Sequence, residues 1–127
     1  MAGVNRVQII GYLGSDPEVR SMAKGGKVCT FRVAVDRPRR AANGKGGTMT
    51  DWFNIEAWGR LGEICQEYLS KGRLVYLEGR FQTDRYEQDG DVKYFTKVVV
   101  SNLQMLDRRG DQPDVEVEEE EELVSDS

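Results

Sequence analysis

Two tryptophans six residues apart, Trp52 and Trp58, are the first side chains whose type and spacing point to a chemistry. Both lie in the segment Thr50 to Trp58, which reads as a strand, and an even separation puts both indoles on one face. Phe53, Ile55 and Ala57 take the opposite parity and read as core, so the indoles face away from it. Large apolar side chains usually find burial, and two exposed indoles on one sheet face are a poor accident. Burial of either ring against a loop or another subunit is the plain structural alternative. Exposed rings can stack on other flat π-systems, and positive charge lies close by. Arg60 follows Trp58, Lys71 and Arg73 bracket Gly72, Arg85 adjoins Tyr86, and Arg37, Arg39, Arg40 and Lys45 load a glycine-rich segment. Any one of these is more often a solvated surface charge. Interleaved with Trp52, Trp58 and Tyr86, the set traces a path for a phosphate backbone beside stacked bases, the two needs of a single-strand binder.

Catalysis is a poor fit. The 127 residues contain no histidine, which removes the commonest general base and the commonest metal ligand together. Cys29 and Cys65 sit in apolar surroundings without metal-ligand spacing and read as reduced, buried small hydrophobes. The carboxylates concentrate near the C-terminus, and no pair has a spacing that suggests a two-metal centre. No catalytic, cofactor or metal residues are therefore expected, since stacking and charge neutralisation need none. The net charge of −4 conceals a division. Met1 to Leu106 carries 16 Lys and Arg against 12 Asp and Glu, a balance of +4, whereas Asp107 to Ser127 carries 2 against 10, a balance of −8. A mildly basic body with an acidic tail fits a nucleic-acid binder. No apolar run approaches membrane-spanning length, and the N-terminus lacks the features of a signal or transit peptide.

The elements that would position these residues follow from pattern. Asn5 to Leu13 reads as a strand with a bend at Gly11, ended by the turn Gly14-Ser15-Asp16-Pro17. A short extended piece, Glu18 to Met22, leads to Gly25-Gly26. Lys27 to Asp36 is a clear strand with Cys29, Phe31, Val33 and Val35 on the core face. Arg37 to Gly47 reads as a long basic loop, Thr50 to Trp58 as a third strand, and Leu61 to Lys71 as a helix closed by Gly72 at C′. A strand from Arg73 to about Tyr86 turns at Gln88-Asp89-Gly90-Asp91 and returns through Lys93 to Val100, with Leu103 to Leu106 as a short last strand. The expected fold is all-β: a five-stranded barrel over residues 1–106, with one helix between strands 3 and 4. That is the layout of the oligonucleotide-binding barrel, though propensity also permits a small α+β sheet. Residues 107–127, with the run Glu118 to Glu122, are expected to be a disordered acidic tail. Its carboxylates serve solubility or compete with nucleic acid for the basic groove.

The motif order is more specific than any single piece. Val4-Asn5-Arg6-Val7 is followed by Gly11-Tyr12-Leu13-Gly14-Ser15-Asp16-Pro17-Glu18-Val19-Arg20, Thr50-Asp51-Trp52-Phe53 and Trp58-Gly59-Arg60-Leu61-Gly62-Glu63. Tyr68-Leu69-Ser70-Lys71-Gly72-Arg73-Leu74-Val75-Tyr76-Leu77-Glu78-Gly79, Val98-Val99-Val100 and Met105-Leu106 complete the pattern. Over nearly all of residues 3–106 the sequence resembles the bacterial single-stranded DNA-binding proteins. The resemblance implies a homotetramer around which single-stranded DNA wraps, acting in replication, recombination and repair in the bacterial cytoplasm, at the nucleoid. It implies base stacking on Trp52, Trp58 and Tyr86 and phosphate contacts from Arg6, Arg20, Arg60, Lys71 and Arg85. Arg39 stands at about the position of a further family aromatic, where its planar guanidinium can itself stack. Strands around Val4 to Val7 and Tyr76 to Arg80 would pack subunits. The tail departs from the family: a short linker leads to Leu123-Val124 with no terminal Phe, which speaks against recruiting replication and repair proteins by the usual apolar tip. A protein-interaction module, like a shortened primosome accessory protein, is the alternative from another class, and a nuclease fits least well.

Overall fold

The computed structural model describes residues 3–23, 25–40 and 46–107, together with a strand at 116–118. Alternation of apolar and polar side chains sets the strands. In β1 (Val7–Leu13) buried and exposed positions alternate without a break. β2 (Glu18–Ser21) is short and exposed, while β3 (Lys27–Arg40) and β4 (Gly46–Trp58) make a long hairpin. After α1 (Gly59–Tyr68), β5 (Leu74–Gln88) and β6 (Asp91–Met105) make a second, and β7 (Glu116–Glu118) follows.

Pairing runs β1-β5-β6-β4-β3-β2, and contact of β1 with β3 closes the circle. Only β4 with β6 is parallel among these pairs. The closed barrel therefore uses β1, β3, β4, β5 and β6, with α1 between the third and fourth of these, as expected. β1 changes partner at Tyr12, which faces Leu74 of β5 on one side and Ala34 of β3 on the other. That is one residue past Gly11, where the bend was anticipated. Inside lie Ile9, Leu13, Cys29, Phe31, Val33, Ile55, Ala57, Leu77 and Val98, and α1 adds Leu61 and Cys65. Burying each larger aliphatic of this set contributes about 1.5–3 kcal/mol, which fixes strand parity and hence which side chains remain outside.

Several boundaries differ from expectation. The helix starts two residues earlier and ends at Tyr68, because Leu69 is drawn into the core and the chain must turn to meet β1. Gly72 is not the C′ residue; it lies in the following turn, where its N–H donates to the Leu13 carbonyl at 2.8 Å. The basic segment 37–47 is mostly strand: pairing continues from Asp36↔Thr50 to Arg40↔Gly46. Cross-strand contacts support it, with Thr50 Oγ1 donating to Asp36 Oδ1 at 2.7 Å and Arg37 Nε to Asp51 Oδ2 at 2.9 Å. Lys45 and the Arg40 side chain lie outside the described residues. Asp89 and Gly90, with φ of 53° and 82°, form the tight turn of the β5–β6 hairpin. A register shift between Glu78 and Gly79 lets this hairpin run on, so Leu103 to Met105 is the end of β6 and not a separate strand. Of the acidic tail, Glu116–Glu118 pairs with β6, and nearly all the rest lies outside the described residues.

Candidate nucleic-acid interface

The outer face of β2, β3 and β4 is built in rungs. Arg20, Val28 and Trp58 share one; Glu18, Thr30 and Glu56 share the next; Arg32 and Asn54, then Ala34 and Trp52, follow. The two indoles thus stand on one face, about 20 Å apart along the strand, as two separate stations. Trp52 is 49% exposed. A Cβ on Gly14 would lie 2.2 Å from its ring, so the absence of a side chain there is what seats the indole. The Arg32 guanidinium lies over the ring, 4.5 Å from its centroid. Trp58 is half-buried, and its Nε1 donates to Glu56 Oε1 at 2.7 Å.

A cleft of about 330 Å³ opens on this face, and its lining includes Arg20, Arg32, Thr30, Glu56, Phe95 and Lys97. A second of about 230 Å³ runs past Trp52, Phe53, Phe81 and Thr96. Asn54 and Lys97 line both, so they form the divide between them. Lys97 bridges Glu56 Oε2 at 2.8 Å and Asp84 Oδ2 at 2.9 Å. Burial works against its charge, but the hydrogen bonds to these two carboxylates outweigh it and raise the Lys97 pKa. The same bond, aided by Gln82, holds the Asp84 carboxyl below the usual range.

Tyr86 is exposed on the β5–β6 arm opposite Lys93, with the parity of Asp84, Phe95 and Lys97. Arg85 has the other parity. It projects from the reverse side of the arm, opposite Tyr94, and approaches Glu87 at 3.9 Å. Arg60 is exposed on the first turn of α1. Lys71 is exposed in the turn after the helix, where its backbone N–H donates to Asp16, a cleft residue. Arg39 is exposed near the end of β3, on the parity of Val33 and Val35 rather than of the strand face that carries Trp52. Arg6 is exposed just before β1, at the end of that strand paired with Gly79 of β5. The expected residues therefore do not form a single patch: Arg20, Trp52 and Trp58 share the cleft face, Tyr86 continues its parity on the arm, and Arg6, Arg39 and Arg85 take other directions.

Arg73 is a clear correction. It is 1% exposed, with Nε on Asp107 Oδ1 at 2.8 Å, Nη1 on the Tyr68 carbonyl and Nη2 on the Asp107 carbonyl. Its parity with Val75 and Leu77 turns it inward, so it clamps the end of the barrel and is not a surface cation. Sequence reasoning missed Arg32, Phe95 and Lys97, all of which line the cleft. The alternation Lys93-Phe95-Lys97 could have revealed two of them. Cys29 and Cys65 are both buried, and burial pushes the Cys29 thiol up to about 11, which keeps it protonated.

A closed five-stranded barrel with aromatic and basic side chains on its outer groove has the architecture of the oligonucleotide-binding barrels. Residues 4–106 match the single-strand binding protein family, and the chain belongs to that family. It is 44% identical over 106 residues to single-stranded DNA-binding protein 1 of Chlorobaculum tepidum, covering 82% of this chain and 65% of that protein. To the single-stranded DNA-binding protein of Neisseria meningitidis it is 42% identical over 109 residues, covering 85% and 63%. The chain thus spans under two thirds of the length of these relatives. Among solved structures it is similar to the Plasmodium falciparum SSB in complex with ssDNA, with a TM-score of 0.77 and 28% identity, over 84% of this chain and 98% of that one.

Proposed function

We propose that this chain binds single-stranded DNA without sequence preference and shields it during replication, recombination and repair, with no catalytic activity of its own. Bases stack on Trp52, Trp58 and Tyr86. Phosphates are met by Arg20, Arg60 and Lys71, with Arg6, Arg39 and Arg85 receiving strand that passes around the barrel and along its arms. The observation that carries this reading is Trp52, a half-exposed indole seated on Gly14 with a guanidinium over its ring. An indole kept half in water is costly unless a flat partner arrives.

Self-association belongs to the same proposal. The outer face of β1 exposes Ile10 and Tyr12, with relative exposures of 56% and 54%, beside Tyr76 of β5. Apolar side chains set together on a sheet face favour burial against a second copy, in keeping with a homotetramer. The site of action is the bacterial cytoplasm. Titration of the protein with poly(dT), followed by tryptophan fluorescence, tests the reading: strong saturable quenching is expected. No quenching at low salt would overturn it and favour a protein-interaction module.

A further inference from the structure

Glu56 and Asp84 are carboxylates on the face proposed to receive a polyanion, where uncompensated negative charge would repel the ligand. Neither stands alone. Trp58 Nε1 donates to Glu56 Oε1, Lys97 bridges Glu56 Oε2 and Asp84 Oδ2, Gln82 Nε2 donates to Asp84 Oδ1 at 3.1 Å, and Arg80 Nη1 donates to Gln82 Oε1 at 3.1 Å. The chain of contacts crosses three strands, β4, β6 and β5, in one outward-facing row. Glu56 has both oxygens committed, and the side chains of Glu56 and Lys97 are each only 13% exposed.

We infer that Glu56 is a positioning residue for base stacking: it pins the indole edge of Trp58 through Nε1, while Lys97 holds Glu56 in place from the other side. This inference rests on the single-strand binding proposed above. Trp58 is only half-buried, so packing does not by itself select one orientation of the ring. A single acceptor two residues earlier on the same strand face does so, because residues at i and i+2 lie side by side. With the edge pinned, the ring face has a fixed direction to offer a base, and less ordering remains to be done when the base arrives. Lys97 keeps its charge in this setting, which anchors the carboxylate and offsets its repulsion of phosphate.

The test is a double-mutant cycle in the full chain, read as anisotropy of a fluorescein-labelled oligo(dT). E56A is expected to weaken binding about five- to tenfold in the wild-type background and less than about twofold in W58F, because the indole through which it acts is then gone. E56Q keeps a carbonyl acceptor for Nε1 and should restore most of the affinity. In W52F, where Trp58 is the sole indole, E56A should shift its emission to the red and lower its anisotropy, and E56Q should not. Equal losses in both Trp58 backgrounds, or tighter binding of E56A in both, would overturn the inference; the latter would mean that Glu56 acts only as a repulsive charge. Should E56A not fold, E56D, one methylene too short to reach both partners, carries the same expectations. Failure of the wild type to bind oligo(dT) would overturn the functional reading itself.

Discussion

Replacing Trp52 with Ala separates stacking from charge. The ring is 49% exposed, and Arg32 lies over it at 4.5 Å. A stacked base contributes about 1–3 kcal/mol. A base taking the ring face displaces an exposed cation–π contact worth about 0.5–1 kcal/mol. The net loss on removing the ring is then at most about 2.5 kcal/mol with a midpoint of about 1.25, an approximately eightfold rise in Kd at about 1.4 kcal/mol per decade. Anisotropy of labelled oligo(dT) at several salt concentrations is the suitable assay, since Trp52 is itself one of the two indole fluorophores. The loss should be similar at every salt concentration, with the log–log salt slope unchanged, because no phosphate contact is removed. R20A should do the opposite and reduce the slope by about 0.7. Binding of W52A within twofold of wild type, with a normal melting curve, would refute the argument. So would a loss that disappears as salt rises.

The surroundings of the site give further expectations. G14A places a methyl 2.2 Å from the Trp52 ring, so it should tilt the indole, cost about 1–3 kcal/mol of stability in a urea titration and reduce the fluorescence quenching by poly(dT). R73A leaves the buried ends of β5 and β6 without their clamp, and should destabilise by about 3–5 kcal/mol in the same titration without changing the salt slope of DNA binding. The Asp84–Lys97 pair predicts pH dependence at both extremes. The Asp84 pKa is depressed on folding, so its contribution is present above the ordinary carboxylate range and is lost as pH falls through the depressed value. The Lys97 pKa is raised, so its contribution is present below the ordinary lysine value and is lost as pH rises through the raised one. Melting temperatures followed against pH should fall less steeply on the acid side for D84N than for wild type.

The barrel was legible because parity is cheap to read. Cys29, Phe31 and Val33 against Thr30, Arg32 and Ala34 fix one face of β3, and Phe53, Ile55 and Ala57 do the same for β4. Arg73 reads as exposed because charge is normally a sign of exposure. Its two partners beyond neighbouring sequence, Met105 and Asp107, are more than 30 residues away, and nothing local announces them. The basic segment 37–47 reads as loop from its glycines and charges. Pairing begun by the buried rungs of β3 and β4 propagates outward through Arg37 with Asp51 and Asp36 with Thr50, contacts that propensity does not register. Arg85 adjoins Tyr86 in sequence, yet neighbours in a strand face opposite ways.

The polar groups of one row on the cleft face, from Glu56 to Arg80, are occupied with one another. Glu56 takes the Trp58 N–H and Lys97, Asp84 takes Lys97 and Gln82, and Gln82 takes Arg80. Direct reading of a base edge needs donors and acceptors that point outward at fixed positions and wait for a partner. Where polar groups satisfy each other, as along this row, a nucleotide meets mainly ring surfaces and peripheral cations. Ring surfaces accept any base and cations accept any phosphate, so sequence tolerance under the proposed function follows from the pairing of these side chains. The mildly basic balance of residues 1–106 acts in the same direction, since it attracts the backbone without regard to the bases it carries. Glu56 belongs to both halves of this argument: it removes a donor and a cation from base recognition, and in doing so gives the indole a fixed direction.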